Sequence, residues 1–336
     1  MTLKNILIFA LIFNVLYSCK NDPLNVKIES IKVDIGFINL DSTIVNSSKK
    51  QTILNHHLFQ QEINDIYSYQ LGYCLQIGRV SDTAISNSLY QFTHDPEIKK
   101  IEARIKEKFN NITSTKKKLI KAFKHLKYHF PKGKIPKHIV FMNSLFQSNA
   151  FCTENEIGIG LERYLGAESD VIKQLPSEPF YQWIKESMNN DYLERDALCS
   201  WIITHYFNDT ESNLAEKIVK WGKILYLTEA SFPDEDERII IRYSKEDYDW
   251  AVKNELEIWK HLVDGKLLFK INELDQTNYL KEAPFTIGLS DKSPDRLGQY
   301  LGWKMVRNYM NKNNVNLQEL IKTPYNTILQ DYEIED

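Results

Sequence analysis

Gly298 and Gly302 lie four residues apart in a segment, from Ser293-Pro294 through Met310, that reads as a helix. Glycine inside a helix costs roughly 1 kcal/mol relative to alanine. Two of them at this spacing let another backbone approach closely. Such a helix needs a packed neighbour, and the sequence offers several. Pro179–Met188 and Tyr192–Phe207 read as helices, the second with Ala197, Trp201 and His205 at i, i+4 and i+8. Leu214–Leu227 puts Leu214, Ile218, Trp221 and Leu225 in register. Ser244, with Asp247 three residues on, opens a helix expected to run through Trp250, Leu256 and Trp259. Leu317–Ile321 adds a short last helix.

The first half is mixed. Residues 26–40 alternate apolar and polar around Ile31, Val33 and Ile35, which predicts a strand. Residues 50–78 lean helical. Asp95 caps a helix with Pro96 in its first turn and a stripe of Ile98, Ile101, Ile105 and Phe109. A second helix, Ser114–Phe130, turns Leu119, Ala122, Phe123 and Leu126 inward and leaves Lys116, Lys117 and Lys118 facing water. Lys137–Asn143 and Ile157–Leu161 read as strands, the latter with Gly158 and Gly160. The loop between them carries Asn149, Thr153 and Asn155. The fold class expected is α+β, mostly helical with a small sheet.

The N-terminus differs in kind. Lys4 precedes an apolar run of 12 residues, Ile6 to Tyr17, ending Leu16-Tyr17-Ser18-Cys19. A helix of that length rises about 18 Å, short of a bilayer's hydrocarbon core. The pattern is that of a secretory signal with a bacterial lipobox. Residues 1–18 are expected to be removed, Cys19 to carry acyl chains, residues 19–25 to tether, and 26–336 to fold as one domain. Each buried CH2 of an acyl chain contributes about 0.8 kcal/mol of anchoring. No later stretch is apolar enough to span a membrane.

Net charge is -3, which gives no electrostatic footprint for nucleic acid. The 18 Tyr, 16 Phe and 6 Trp point to a large aromatic core, and suit sugar or peptide binding as an alternative. Cys74, Cys152 and Cys199 have no zinc spacing and are expected as buried thiols. His56 and His57 are neighbours on a helix and point about 100° apart, unsuited to one metal. His125 and His129 have i, i+4 spacing, but Leu126 stands where a zinc peptidase needs Glu, and the pair reads as one edge of a surface helix. No phosphate loop and no G-x-S-x-G occurs.

The C-terminal segment Ala283–Met310 resembles the gliding-motility lipoprotein GldB family of Bacteroidota. Ile159–Gly166 (IGLERYLG), Glu194–Ile202 (ERDALCSWI), Trp221–Leu227 (WGKILYL) and Asn254–Trp259 (NELEIW) match its pattern in the same order. The resemblance implies a role in the gliding and type IX secretion apparatus, with other envelope proteins as partners. Anchoring is expected in the outer membrane by preference, with a periplasm-facing domain favoured over a surface-exposed one, and no cofactor is expected.

The family is also similar to zincin-type metallopeptidases, which carry H-E-x-x-H on the helix matching Tyr192–Phe207. Aligned so, the first ligand position falls on Trp201, the general base on Ile202, and the acidic ligand near Trp221. Only His205 remains as a metal-ligand candidate. Catalytic zinc takes three protein ligands, so the resemblance implies a zincin-like scaffold without its zinc chemistry. A metallopeptidase or other hydrolase with a divergent site, and a glycan- or peptide-binding lipoprotein, stand as alternatives. Glu162, Arg195, Asp196, Lys223, Glu255 and Arg296 are the charged residues inside the matching motifs, and are expected either to line one polar groove or to form structural ion pairs.

Overall fold

The structure is a computed structural model that describes residues 24–45 and 47–334. Cys19, its cleavage site and most of the tether lie outside the described residues. Four strands form one mixed sheet in the order β1-β2-β4-β3: β1 (Gly36–Asn39), β2 (His138–Met142), β3 (Ala150–Cys152) and β4 (Glu156–Gly160). The first three in that order run parallel, and β3 is an antiparallel edge. The remainder is helical, as α+β patterning predicts.

Alternation sorts the sheet's side chains between two cores. Val140 and Met142 point into a smaller core, against α1 (Leu40–Val45), α2 (Lys49–Glu62), α3 (Asn64–Tyr69) and α4 (Ile85–His94). Ile139, Phe141, Ile157 and Ile159 point into the main core. The glycines of β4 fall on the first face. A Cβ on Gly158 would sit 2.6 Å from the Phe151 ring and 3.0 Å from Ile66. A parallel sheet covered on both faces reads in sequence as unbroken burial, as β4 does.

α5 (Pro96–Lys108) begins where Asp95 accepts hydrogen bonds from the amides of Glu97 and Ile98. α6 (Thr113–His129) buries Leu119, Ala122, Phe123 and Leu126 as expected. After β4 come α7 (Asp170–Lys173), α8 (Gln182–Ser187), α9 (Leu193–Tyr206) and α10 (Leu214–Ser231). Then follow α11 (Glu237–Ile241), α12 (Lys245–Lys253), α13 (Glu255–Asp264) and α14 (Glu273–Leu280). α15 (Leu297–Lys312), α16 (Leu317–Lys322) and α17 (Tyr325–Gln330) complete the fold. No helix among the described residues is long and apolar enough to cross a membrane.

Several expectations are corrected. The strand of residues 26–40 pairs only from Gly36, because β2 offers partners only from His138, and Leu40 already starts a helix. The loop carrying Asn149 and Thr153 hides β3. The Ser244 helix stops at Asn254 and a second one starts there. Ser293-Pro294 does not open α15; the Pro294 carbonyl accepts from the Thr286 amide and hydroxyl, and the helix begins after Arg296. His125 is buried, not at a surface edge. Lys118 pairs with Glu235 at 2.5 Å and Lys116 lies 5.5 Å from the Phe37 ring; both are half-buried, and of the three Lys117 is the exposed one. The three cysteines among the described residues are free, Cys74 and Cys199 buried and Cys152 half-buried.

The main core is organised by α10 and α15. Gly302 abuts the Ile218 carbonyl, and Gly222 abuts the Gly302 carbonyl, so a Cβ on either would overlap backbone. Gly298 serves a different neighbour: its added Cβ would lie 2.8 Å from the Tyr279 carbonyl on α14. Backbone cannot yield as a flexible side chain does. Gly302→Ala is therefore expected to destabilise by about 3 kcal/mol in urea unfolding, whereas Gly72→Ala, whose Cβ would stand 3.8 Å from the Gly78 carbonyl, should change stability by less than about 1 kcal/mol. Equal effects at both sites would contradict the close crossing.

Candidate functional site: an arginine-lined groove

α9 carries Arg195 and Asp196 in its first turn, α11 ends at Arg242, and α15 is preceded by Arg296. Arg242 and Arg296 both adopt left-handed backbone, at φ 60° and 51°. That conformation is unfavourable for residues with a Cβ, and contacts of both side chains hold it. Arg242 Nη1 donates to Glu282 Oε1 (2.6 Å) and Nη2 to the Ser187 carbonyl (3.1 Å), with the guanidinium 4.9 Å from the Tyr192 ring. Arg296 Nη2 donates to the Arg242 carbonyl (3.0 Å), and its guanidinium lies 5.5 Å from the Tyr243 ring.

Asp196 sits at the centre, 5% exposed. It accepts from the Tyr164 hydroxyl (3.0 Å) and Arg195 Nη1 (3.2 Å), and Arg242 Nε lies 3.4 Å away. Arg195 Nε donates to the Ile240 carbonyl (2.8 Å). Arg163 joins from the turn after β4, donating from Nε to Asn149 Oδ1 (2.5 Å). Burial opposes ionisation of Glu282, yet the guanidiniums of Arg242, Arg296, Arg163 and Arg195 outweigh it and hold its carboxyl below the ordinary value. Two cavities, of about 330 and 540 Å³, share Trp183, Arg242, Glu282 and Arg296 as walls. The larger reaches Asn149 and Ala150 at the sheet edge.

Of the six charged residues singled out in the sequence, Arg195, Asp196 and Arg296 converge here. Lys223 does not: its Nζ donates to the Ile321 (3.1 Å) and Thr323 (2.6 Å) carbonyls at the end of α16, and burial lowers its pKa to about 8. Glu255 accepts from the hydroxyls of Tyr300 (2.9 Å) and Tyr332 (2.8 Å). Glu162 is fully buried elsewhere. These three fix packing. Sequence reading missed Arg163, Arg242, Glu282 and Asp295. Arg163 lies within IGLERYLG and Asp295 within the Ala283–Met310 segment, and Glu282 is the residue before it. Arg242 had no sequence signal.

The residues aligned to H-E-x-x-H face elsewhere. Trp201 and Ile202 are fully buried, and Trp201 Nε1 donates to the Lys134 carbonyl (3.0 Å). His205 Nε2 lies 3.1 Å from the Thr153 carbonyl, and its ring centroid lies 3.7 Å from that of Trp201, tilted by 40°. The cavity face of α9 presents Arg195, Asp196, Cys199, Ser200 and Ile203 instead. Among the described residues no three His, Cys, Asp or Glu side chains are placed to hold a metal ion.

A family model described as gliding motility protein GldB matches residues 21–333, nearly the whole chain. No curated protein and no solved structure gives a significant match.

Glu162 belongs to a second, acidic cluster at the carboxyl ends of β1, β2 and β4. Its Oε1 accepts from the Ser144 amide (3.0 Å) and hydroxyl (2.5 Å) and the Phe146 amide (2.8 Å). Glu102 Oε1 accepts from Asn143 Nδ2 (2.8 Å), and Asp41 Oδ1 from Gln70 Nε2 (3.3 Å). Asp41 and Glu102 wall a cavity of about 460 Å³. Burial raises all three carboxyls, Glu102 from 4.5 to about 7. An acid raised on folding favours the fold fully below its unfolded pKa, and that contribution is lost as pH rises through the folded value. For Glu102 the window is 4.5 to about 7. His129, pushed by burial down to about 4, has the opposite slope over part of it. A paired comparison therefore isolates the acid. The stability of Glu102→Gln relative to wild type, from urea unfolding, is expected to rise by up to about 3 kcal/mol between pH 5 and pH 8. A difference independent of pH would mean that Glu102 ionises as it does in water.

Proposed function

Since the chain belongs to the gliding motility protein GldB family, we propose that it is a lipid-anchored, non-catalytic component of the gliding and type IX secretion apparatus. It docks other envelope proteins through the arginine-lined groove. The family match over residues 21–333 is the observation that carries this reading. The lipobox ending at Cys19 supports anchoring, with the outer membrane favoured and the folded domain facing the periplasm. Buried Trp201 and Ile202, at the positions where a zincin has a metal ligand and its base, support the non-catalytic role on a zincin-like scaffold. The groove supports docking because its arginines are held in place before any partner arrives, so less ordering is required on binding.

Deleting the gene in the native host is expected to abolish both single-cell movement on glass and secretion of a type IX cargo. Wild-type protein should restore both, and Cys19→Ala neither. A deletion strain that moves and secretes normally would remove this reading for that host. Rescue by Cys19→Ala would remove the anchoring part alone.

A further inference from the structure

The three carboxylates of the groove are held unequally. Asp196 is buried under a hydroxyl and two guanidiniums. Asp295 accepts from the Ala283 amide (3.2 Å) and pairs with Arg296 (3.0 Å). Glu282 accepts one hydrogen bond, from Arg242, and 38% of its side chain stays exposed. It lies on the irregular segment 281–296 between α14 and α15. Around it, donors are poorly matched: Nε of Arg242 lies 3.4 Å from Asp196 and Nε of Arg296 3.0 Å from Asp295, both buried and neither aligned as a hydrogen bond. A buried charged donor with a misaligned acceptor is costly, and guanidinium forks match the planar geometry of a carboxylate.

We propose that Glu282 is a placeholder. The groove receives a carboxylate of a protein partner, an acidic side chain or a free chain end, which takes the place of the Glu282 carboxylate among the arginines as Glu282 swings out. The proposal rests on the docking role above and supplies its chemistry.

Charge decides between a carboxylate and a phosphate. With Glu282 out, the carboxylates paired with Arg195, Arg242 and Arg296 are Asp196 and Asp295, while Arg163 faces Glu162. One incoming carboxylate restores the balance that Glu282 now provides. Its desolvation is offset by the same guanidiniums, whereas leaving them unopposed would bury uncompensated charge. The acidic rim of Glu186, Glu246 and Asp247 opposes any anion, and a phosphate dianion about twice as strongly as a carboxylate. The remaining cavity, about 540 Å³ walled by Ala150, Trp183 and Trp221, has room for the residues next to the carboxylate.

The test is calorimetric titration of the full chain in detergent, as wild type, Glu282→Gln and Glu282→Ala. The probes are N-acetyl-trialanine with a free carboxylate, the same peptide amidated, amidated N-acetyl-Ala-Glu-Ala, and inorganic phosphate. At least one carboxylate peptide is expected to bind both variants about tenfold or more tighter than wild type, because the internal competitor is gone. The amidated trialanine should not bind. The tighter of the free-end and glutamate peptides names the source of the carboxylate. Equal affinity for wild type and variants, no binding by either carboxylate peptide, binding of the amidated trialanine, or phosphate binding as tight as the peptides would each overturn the proposal. Glu282→Gln keeps the side chain's size, so the comparison stands even if Glu282→Ala fails to fold. Failure here leaves the genetic test of the docking role untouched. Normal movement in the deletion strain would in turn remove the role while a tenfold titration difference kept the site.

Discussion

The backbone contact of α10 with α15 at Gly222 and Gly302 sets the geometry of the C-terminal half. With no Cβ between them, the helices lie close enough for Ile218, Leu225, Leu301, Met305 and Val306 to be fully buried around the crossing. Polar contacts then fix the rotation of α15. Trp303 Nε1 donates to Glu229 Oε2 (2.7 Å), and Arg307 pairs with Glu229 (3.2 Å) and Glu237 (2.6 Å). Arg296 precedes Gly302 by six residues, roughly 9 Å along the axis. Its place in the groove is therefore inherited from the crossing, as is that of Trp221, which α10 presents to the same cavity.

Local patterns were legible in the sequence wherever local physics decides. Asp95 with Pro96 and Ser244 with Asp247 cap helices because their side-chain oxygens meet amides two or three residues on. The stripes of α5 and α6 turn to the core, with Ile101 and Phe109 only half-buried, because 3.6-residue periodicity gathers them on one face. Gly302 announced a close backbone neighbour, which the fold supplies. What stayed hidden depends on partners distant in sequence. The strand of residues 26–40 could not show that pairing begins at Gly36. Ala150–Cys152 is too short to give a period. Asn254 divides a continuous apolar pattern through its own backbone geometry. The groove was half legible for the same reason: Arg195, Asp196 and Arg296 lie in recognisable motifs, whereas Arg242 enters through a left-handed helix end that no periodicity marks.

Most of the buried charge among the described residues falls into two clusters of opposite character, carboxylates at the strand ends and guanidiniums between α9, α11 and α15. One turn joins them. After β4 the chain tightens over Leu161–Tyr164, and its residues diverge. Glu162 enters the acidic cluster and takes the amides of Ser144 and Phe146. Arg163 turns to Asn149 and the Phe146 carbonyl. Tyr164 donates to Asp196 in the groove.

The segment 143–149 is thereby gripped from both sides, which accounts for Leu145 and Phe146 holding left-handed backbone at φ 49° and 62° without being glycine. Such conformations persist only where surrounding contacts over-determine them. Here the contacts are the Glu162 carboxylate beneath and the Arg163 guanidinium beside, and both come from IGLERYLG. The motif therefore does more than continue a strand. It places one residue in each charge cluster and a third against Asp196, so the sheet ends, the strained segment and the floor of the groove share one short piece of chain. Arg163 is also one of the four guanidiniums that bear on Glu282. A carboxylate exchanged in the groove would thus act on the same residue that holds Phe146 and Asn149, which gives the binding face a direct physical connection to the sheet.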